Sequence, residues 1–249
     1  MLRKLALTAC LLAAGVTIVP AQQAITEVPP PYQGPSTLVR GVFVTPIAGA
    51  PFSAVVIIES KQTLPDGSVE TRHTQALIAR DSRGRIRNER HVLVPESFRG
   101  TPPMISANIF DPETRISYIF NPNTLMAWKR VVLAPRPDVF PNSETQDLGY
   151  MTLNGMQAKG TLTTRTIPAQ SSGTGKEVKI TDEVYYSEDL HMNLYELHTD
   201  VRGGQQTVAI LSIKTQEPDP ALFELPPGYK IVDATLPENS PARNLNANR

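Results

Sequence analysis

Residues 111–129 read DPETRISYIFNPNTLMAWK and contain a reversal of the form Asp/Asn-Pro-x-Thr twice, first at Asp111 and again at Asn121. Aspartate and asparagine favour turns because their side chains hydrogen-bond the backbone two residues further on. The segments after the two reversals are short and rich in β-branched and aromatic residues, which favour strands. This stretch therefore predicts a β-meander, and the rest of the chain repeats its style.

Further reversals are predicted on both sides of this stretch. Pro65-Asp66-Gly67 and Asp81-Ser82-Arg83-Gly84 are typical of tight turns, and Asn154-Gly155 between apolar runs indicates a hairpin. Asp219-Pro220 predicts one helical turn, with the aspartate as its cap. No segment has the periodicity of a long amphipathic helix. The sequence thus predicts an all-β, mainly antiparallel fold, as a single curved meander sheet or half-barrel with little helix.

Charged side chains alternate with apolar ones between residues 85 and 94. One face of the predicted strand carries Arg85, Arg87, Glu89 and His91, and the other carries Ile86, Val92 and Val94. Because charged side chains normally stay exposed, we expect a solvated surface there. His91 is expected beside His73 on a neighbouring strand, but a metal site needs three or four ligands. A hydrogen-bonded or solvent-facing histidine is therefore the preferred interpretation.

The first 21 residues have the three parts of an export signal. Arg3 and Lys4 supply the positive start, residues 5–19 the apolar run, and Ala21 ends a small-residue cleavage site. Leu7-Thr8-Ala9-Cys10 resembles a lipobox, but cleavage there would leave too short an apolar core. We expect cleavage after Ala21 and a periplasmic or secreted protein without a transmembrane anchor, with lipidation at Cys10 as the alternative.

The expected organisation is a signal peptide at 1–21, a disordered tether at 22–36, an antiparallel β domain at 37–234 and a disordered tail at 235–249. Prolines at 135–145 predict a hinge or long crossover inside the domain. Without the signal the chain carries 22 basic and 24 acidic side chains, a formal charge of −2. This balance argues against generic attraction to nucleic acid or anionic membranes. Because Cys10 is the only cysteine, the domain must be stable without disulfides.

Familiar catalytic and cofactor motifs are missing from the sequence. Gly173-Thr174-Gly175-Lys176 resembles the end of a phosphate-binding loop, but Gln170 replaces its first glycine and Glu177 its Ser/Thr. No serine-hydrolase elbow, zincin helix or calcium loop occurs. We expect no cofactor, no metal and no enzymatic activity. A hydrolase with a dispersed site stays open as an alternative, because the separation of two carboxylates depends on the fold.

Five aromatic side chains on predicted strands form the candidate ligand-binding set: Tyr118, Phe120, Trp128, Tyr186 and Tyr195. A curved sheet that gathered them on its concave side would offer an apolar cleft. The alternative is that they fill the core, as aromatic residues commonly do.

Several runs together resemble a large group of exported bacterial proteins of unknown function: VRGVFVTPIAGAPFSAVV, ARDSRGRIRNER, IFDPETRISYIFNPNTLMAWK, ITDEVYYSEDL and EPDPALFELPPGYKIVD. More distantly, the meander and its closing Pro-x-x-Phe-x-x-Pro-x-Gly-Tyr are similar to the LolA-like half-barrels of lipoprotein carriers. The resemblance implies a binding protein with an apolar groove, and not an enzyme. It implies helices that close the groove as well, which this sequence does not predict.

The leading hypothesis is therefore an exported envelope protein that holds a lipid, an acyl chain or a peptide on its curved sheet. The second hypothesis is an envelope sensor or assembly partner that acts through protein contacts, adding a strand at an exposed sheet edge. The third is the hydrolase with a dispersed site. No nucleic-acid partner is expected.

Overall fold

A computed structural model of the chain describes residues 42–132 and 143–235, which belong to one compact unit, Pro31–Arg249. Several predicted features lie wholly or mostly outside the described residues: the signal at 1–21, Cys10, the tether at 22–36, the hinge at 135–145 and the tail at 235–249.

The described residues form thirteen strands of one sheet. The first seven are β1 Phe52–Thr63, β2 Val69–Arg80, β3 Ile86–His91, β4 Val94–Pro95, β5 Met104–Asp111, β6 Ile116–Asn121 and β7 Met126–Val131. The other six are β8 Ser143–Leu153, β9 Met156–Ile167, β10 Val178–Ser187, β11 Met192–Asp200, β12 Gly204–Lys214 and β13 Lys230–Asp233. A 3₁₀ turn at Pro220–Phe223 precedes β13, and the Asp219 side chain caps it by accepting from the Ala221 N–H.

The sheet joins two meanders through its central strands. Its order is β13-β7-β6-β5-β3-β2-β1-β12-β11-β10-β9-β8, with β4 beside β2 off this path. The described pairs are antiparallel, except that β13 pairs with β7 in parallel. The long-range pairing of β1 with β12 connects the two halves.

The two Asp/Asn-Pro-x-Thr reversals have the predicted chemistry. The Asp111 Oδ1 accepts from the backbone N–H of Glu113 at 2.9 Å, and the Asn121 Oδ1 accepts from that of Asn123 at 2.8 Å. Each reversal ends in a residue with positive φ. The turns therefore set the register of β5, β6 and β7, as the meander prediction requires.

The sheet curves back on itself at one end. The Asn154 Nδ2, at the tip of the β8–β9 hairpin, donates to the Ile210 carbonyl of β12 at 3.0 Å, although three strand pairings separate β9 from β12. The larger core is centred on β1 and β12 and includes Phe52, Val56, Ile78, Met192, Leu194 and Ile210. The smaller core joins β5, β6 and β7 to the 3₁₀ turn and includes Ala107, Ile109, Phe120, Ala127 and Phe223. The all-β, curved and mainly antiparallel fold predicted from the sequence is thus confirmed.

Two predicted strands differ from those observed. The run TLVRGVFVT at residues 37–45 has the composition of a strand, but in its described part, 42–45, only Val44 makes a β-bridge, to Met192. The single strand expected over 85–94 is divided into β3 and β4, and the register of β3 against β5 shifts between Arg90 and His91. Within the ranges that the structure describes, no helix is long and apolar enough to cross a membrane.

Candidate functional site

A solvent-open cavity of about 440 Å³ lies between residues 42–44 and one face of β3 and β5. We call it the β3–β5 groove. Its described lining residues are Val42, Phe43, Val44, Ile86, Asn88, Arg90, Asn108 and Phe110.

The floor of the groove follows from strand register. Ile86 pairs with Phe110, Asn88 with Asn108, and Arg90 with Ser106. Because paired residues of antiparallel strands project to the same face, and alternate residues to opposite faces, these side chains share the groove face. The intervening residues of β3 point to the other side of the sheet, toward the smaller core.

The wall of the groove is held by the opposite half of the sheet. The Thr45 N–H donates to the His191 carbonyl at 2.9 Å, and the Asn193 N–H donates to the Phe43 carbonyl at 3.1 Å. Residues 42–45 therefore lie against the start of β11, and Val42, Phe43 and Val44 line the groove opposite β3 and β5. The groove is formed where the two arms of the curved sheet approach each other.

Arg80 at the end of β2 fastens this wall. Its side chain is 0% exposed, and its guanidinium donates to the carbonyls of Thr45 at 2.7 Å, Ala50 at 2.6 and 2.8 Å, and Leu190 at 2.7 Å. It also lies over the Phe52 ring, 5.1 Å from the centroid. Burial lowers the pKa of Arg80. One side chain thus joins β2, the wall segment and the β10–β11 turn, because a planar guanidinium can donate in several directions at once.

The role of Arg80 was missed in the sequence. The signal was available, because a lone arginine ends the apolar run of β2, ALIAR. A charged residue at that place is normally interpreted as the exposed end of a strand. Only the fold reveals that three backbone segments converge on it.

The lining offers apolar contacts with a few polar groups. Five of the eight described lining residues are apolar, and none of the eight carries a carboxylate. The Asn108 Nδ2 donates to the Ser117 Oγ of β6 at 3.0 Å, which orients that amide in the floor. Such a surface can hold an extended apolar molecule and orient one polar end of it.

A search of family models found none that matches the chain, and a search of curated proteins found no match. Among solved structures, the chain is similar to an uncharacterised conserved protein from Thermus thermophilus, with 14% identity over 74% of this chain and 90% of that one, at a TM-score of 0.42. It is similar to the MucA/MucB complex of Pseudomonas aeruginosa, with 14% identity over 73% of this chain and 58% of that one, at a TM-score of 0.40. It is also similar to a LolA superfamily protein from Nitrosomonas europaea, with 12% identity over 71% of this chain and 90% of that one, at a TM-score of 0.31. A distant LolA-like resemblance, predicted from the sequence, is therefore found among solved structures. Identities and TM-scores this low assign neither a ligand nor a partner to the chain.

The register separates three of the five predicted aromatic residues. Phe120 pairs with Ala127, whereas Trp128 pairs with Ile119, so Trp128 and Phe120 project to opposite faces. Phe120 is 1% exposed and makes an edge contact with Tyr229, with ring centroids 5.2 Å apart. Tyr118 shares the face of Phe120 and is half-buried. Trp128 is 37% exposed on the face that carries the groove.

Tyr186 and Tyr195 lie in the other half of the sheet. Tyr195 makes an edge contact with Tyr185, with centroids 6.0 Å apart, and packs against the larger core. The Tyr186 hydroxyl lies 3.4 Å from the His191 Nδ1. The five aromatic residues are therefore not gathered in one cleft, and none is among the described lining residues of the groove. Their role in ligand binding stays a prediction from the sequence.

Contrary to the expected solvated surface, Arg87 of the charged stripe is buried, and Arg85, Glu89 and His91 are half-buried. Glu89 Oε1 accepts from the Arg87 guanidinium at 2.8 Å, and Glu89 Oε2 lies 3.1 Å from His91 Nε2. Arg87 Nη1 also donates to the Leu222 carbonyl of the 3₁₀ turn, and its guanidinium lies 5.5 Å from the Phe120 ring centroid. The prediction failed because the 3₁₀ turn covers this face, and the charges are tolerated because they are paired.

Both ring nitrogens of His91 face oxygen atoms, Nδ1 toward the Pro102 carbonyl at 2.8 Å and Nε2 toward Glu89. Only an imidazolium can donate to both. Burial lowers the pKa of His91, but Glu89 and the Pro102 carbonyl outweigh burial and raise it. Burial likewise raises the pKa of Glu89, and hydrogen bonds from His91 and Arg87 outweigh it, so the net direction is downward.

A second polar cluster lies on β9, β10 and β11. The Asp182 Oδ1 is 2.6 Å from the His198 Nδ1, and its Oδ2 accepts from the Arg165 Nη2 at 3.1 Å. A carboxylate in this position orients an imidazole, which is one element of acid–base chemistry. In the described part of the chain, no group of three or more His, Cys, Asp or Glu side chains is arranged to hold a metal ion.

Proposed function

We propose that this chain is an exported bacterial envelope protein that binds an apolar ligand, a lipid or acyl chain, in the β3–β5 groove, and that it does not act as an enzyme. The observation that carries the proposal is the groove itself, a cavity of about 440 Å³ with apolar walls and two amides in its floor. Small-molecule sites are commonly of this size, roughly 300–1,000 Å³, and of this composition.

Rigid walls support binding of a ligand in this groove. Arg80 ties the wall at Thr45 to Ala50 and to the β10–β11 turn at Leu190, and strand register places the floor. A cavity that is already formed before binding loses less entropy when its ligand enters. A bound extended peptide would use the same walls, so the groove is compatible with that occupant too.

The envelope location rests on the sequence. The tripartite signal before Gln22 is typical of export, and the domain after it contains no cysteine. The proposed location is the periplasm or the extracellular space.

Mass spectrometry of small molecules retained by the natively purified protein tests this function. The proposal predicts that a lipid or fatty acid co-purifies in a near-stoichiometric amount and is released by organic extraction. Protein that retains no apolar molecule and takes none up from a lipid extract would contradict it.

A second candidate function is that of an envelope sensor or assembly partner. The observation that favours it is β8, an eleven-residue strand with which the sheet order of the described residues ends. Its Tyr150 is 70% and its Met151 44% exposed. Long, exposed edge strands can accept a strand from another chain.

Pull-down from envelope extract separates the two candidates. A co-purifying protein that is lost on the substitution Thr152→Pro, in the exposed run 150–152 of β8, favours the second function. A co-purifying lipid that survives this substitution favours the first.

A further inference from the structure

We propose that the β3–β5 groove continues across β6, β7 and β13 as a narrow apolar track, formed by Ile119, Trp128 and Val232, and that one unbranched acyl chain lies along it. This inference rests on the proposed function and names the path and the chemical class of its ligand. It assigns to Trp128 the contact with the middle of the acyl chain.

Strand register makes the apolar track a continuation of the groove floor. Asn108 in the floor pairs with Ile119 of β6, and Ile119 pairs in turn with Trp128 of β7. Trp128 pairs with Val232 of β13. Because paired residues project to the same face of a sheet, these side chains form one row that crosses the strands. Neighbouring strands lie about 4.8 Å apart, so the row extends roughly 14 Å from Asn108 to Val232.

The apolar track is an open apolar surface. Trp128 is 37% exposed, and Ile119 and Val232 are half-buried. Among the described residues, none of these three side chains belongs to either hydrophobic core. The smaller core lies on the other face of β6 and β7, where Phe120 and Ala127 project. A ligand on the track would therefore remove apolar surface from water without displacing a core side chain.

Polar side chains border the apolar track, which makes it narrow. Alternate residues of a strand share a face, so the residues two positions before and after Ile119 and Trp128 flank the track. These flanking residues are the polar Ser117, Asn121 and Arg130, together with one apolar residue, Met126. Such a strip suits a thin chain better than the broad surface that a folded protein partner covers.

The direction of the apolar track favours an acyl chain over a peptide. The track crosses β6 and β7, whose backbone N–H and C=O groups are occupied in pairing between strands. A peptide on this face would turn its own backbone groups toward Ile119 and Trp128 without partners, which is costly. An acyl chain has no such groups, and the amides of Asn88 and Asn108 can hydrogen-bond its polar end.

Trp128 is the only tryptophan of the chain, so tryptophan emission reports on this one position. An extended acyl chain advances roughly 1.3 Å per carbon, because its C–C bonds are about 1.5 Å long and zigzag. The amides of Asn88 and Asn108 lie three and two strands away from Trp128, which corresponds to about 14 and 10 Å. Carbons near the middle of an octadecanoate chain would therefore reach the indole.

Fluorescence titration with octadecanoate brominated in the middle of its chain tests the inference, with unbrominated octadecanoate as the control. Both are added below their micellar concentrations to protein freed of retained lipid. Because bromine quenches indole emission only at close range, the brominated chain is expected to quench Trp128. The unbrominated chain is expected to shift the emission to shorter wavelength without quenching it. Displacement of a fluorescent acyl-chain probe measures the binding of both independently.

Two matched variants locate the path of the chain. Ile119→Ser places a hydroxyl between the amides and Trp128, and is expected to weaken binding of the brominated chain about five-fold. Ile231→Ser makes the same change on the opposite face of the sheet, where Ile231 is 53% exposed and pairs with Ala127. It is expected to leave both affinity and quenching unchanged. The unfolding midpoint of each variant shows whether it is folded.

The outcomes separate this inference from the function on which it rests. If the brominated chain displaces the probe without quenching Trp128, the apolar track is overturned and binding in the groove is left intact. Equal affinity of Ile119→Ser and Ile231→Ser for the brominated chain overturns the track as well. If neither chain displaces the probe, the proposed function fails too. Quenching in the unmodified protein needs no variant, so it decides the inference even if Ile119→Ser does not fold.

Discussion

Phe120 and Trp128 occupy adjacent strands of one hairpin but lie on opposite faces of the sheet, because Phe120 pairs with Ala127 while Trp128 pairs with Ile119. Phe120 closes the smaller core beneath the 3₁₀ turn, whereas Trp128 remains partly exposed on the groove face. The reversal at Asn121 sets this register. A one-residue slip of that turn would exchange the two faces.

Truncation of the two aromatic residues should therefore have unequal effects. Phe120→Ala is expected to lower the free energy of unfolding by about 3–5 kcal/mol, because it removes a fully buried ring from a packed core. Trp128→Ala is expected to lower the free energy of unfolding by about 1 kcal/mol, a typical value for a single substitution, because its side chain is partly exposed. Urea unfolding followed by circular dichroism measures both, and similar losses would contradict the assigned faces.

Arg80 should tolerate no substitution, conservative or otherwise. Arg80→Met leaves the carbonyls of Thr45, Ala50 and Leu190 without their donor, at a cost of about 3–5 kcal/mol. Arg80→Lys keeps the charge but cannot reach three carbonyls with the geometry of a guanidinium, so it is expected to rescue little.

The matched control for Arg80 is Arg83→Gln. Arg83 is exposed and pairs with Glu113 on the surface, where an ion pair is worth about 0–1 kcal/mol. Denaturant midpoints should separate Arg80→Lys clearly from this control. Equal midpoints would show that the wall segment does not depend on the buried guanidinium.

The Arg87–Glu89–His91 network predicts a limited pH range of greatest stability. The raised pKa of His91 contributes stability that is complete below its unfolded pKa of about 6.5 and is lost as the pH rises through the folded value. The lowered pKa of Glu89 contributes stability that is complete above about 4.3 and is lost as the pH falls through the folded value. The joint contribution is therefore largest between about pH 4.3 and 6.5.

Substitution of His91 by glutamine isolates the alkaline side of this profile. The free energy of unfolding of the unmodified protein should decline from pH 6 to 9, and His91→Gln should remove most of that decline. Chemical unfolding at closely spaced pH values gives both curves. Parallel curves over this interval would mean that His91 does not titrate between the folded and unfolded states.

Two glycines with similar positive φ angles should respond differently to a methyl group. Gly204 has φ +88°, and a Cβ there would clash with the Lys61 carbonyl oxygen. Gly155 has φ +78° with no atom within 4 Å of such a Cβ. Gly155→Ala is expected to lower the free energy of unfolding by about 1–2 kcal/mol, because an alanine in the left-handed region is strained even where its Cβ meets no neighbour.

Gly204→Ala is expected to cost distinctly more than Gly155→Ala, because the β1 backbone must also move away from β12. Thermal unfolding of the two variants provides the comparison. Comparable unfolding midpoints for the two variants would contradict this expectation. They would show that the β1 backbone moves away from Gly204 at little cost in stability.

Local patterns in the sequence predicted the elements that depend on neighbouring residues. The reversals at Asp111 and Asn121, the Asn154-Gly155 hairpin and the turn capped by Asp219 all occur as expected. Each of these signals acts over two to four residues, so no knowledge of the remaining fold was needed.

Features that depend on distant segments were not predictable in this way. The burial of Arg87 follows from a turn more than a hundred residues later in the chain, and the role of Arg80 from three separate carbonyls. The groove likewise joins residues 42–44 to β3 and β5, which no periodicity in one segment can reveal. The aromatic set selected from the sequence therefore did not coincide with the lining of the groove.

The most direct test of the β3–β5 groove is the affinity of a fluorescent acyl-chain probe for Asn88→Trp. Asn88 lies in the middle of the floor, so the indole should fill the volume that an acyl chain requires. The matched control is Thr152→Trp, which adds the same side chain to the exposed strand β8. We predict at least a ten-fold loss of probe affinity in Asn88→Trp and none in Thr152→Trp, with both variants folded. Unchanged affinity in Asn88→Trp would contradict the claim that this groove is the binding site.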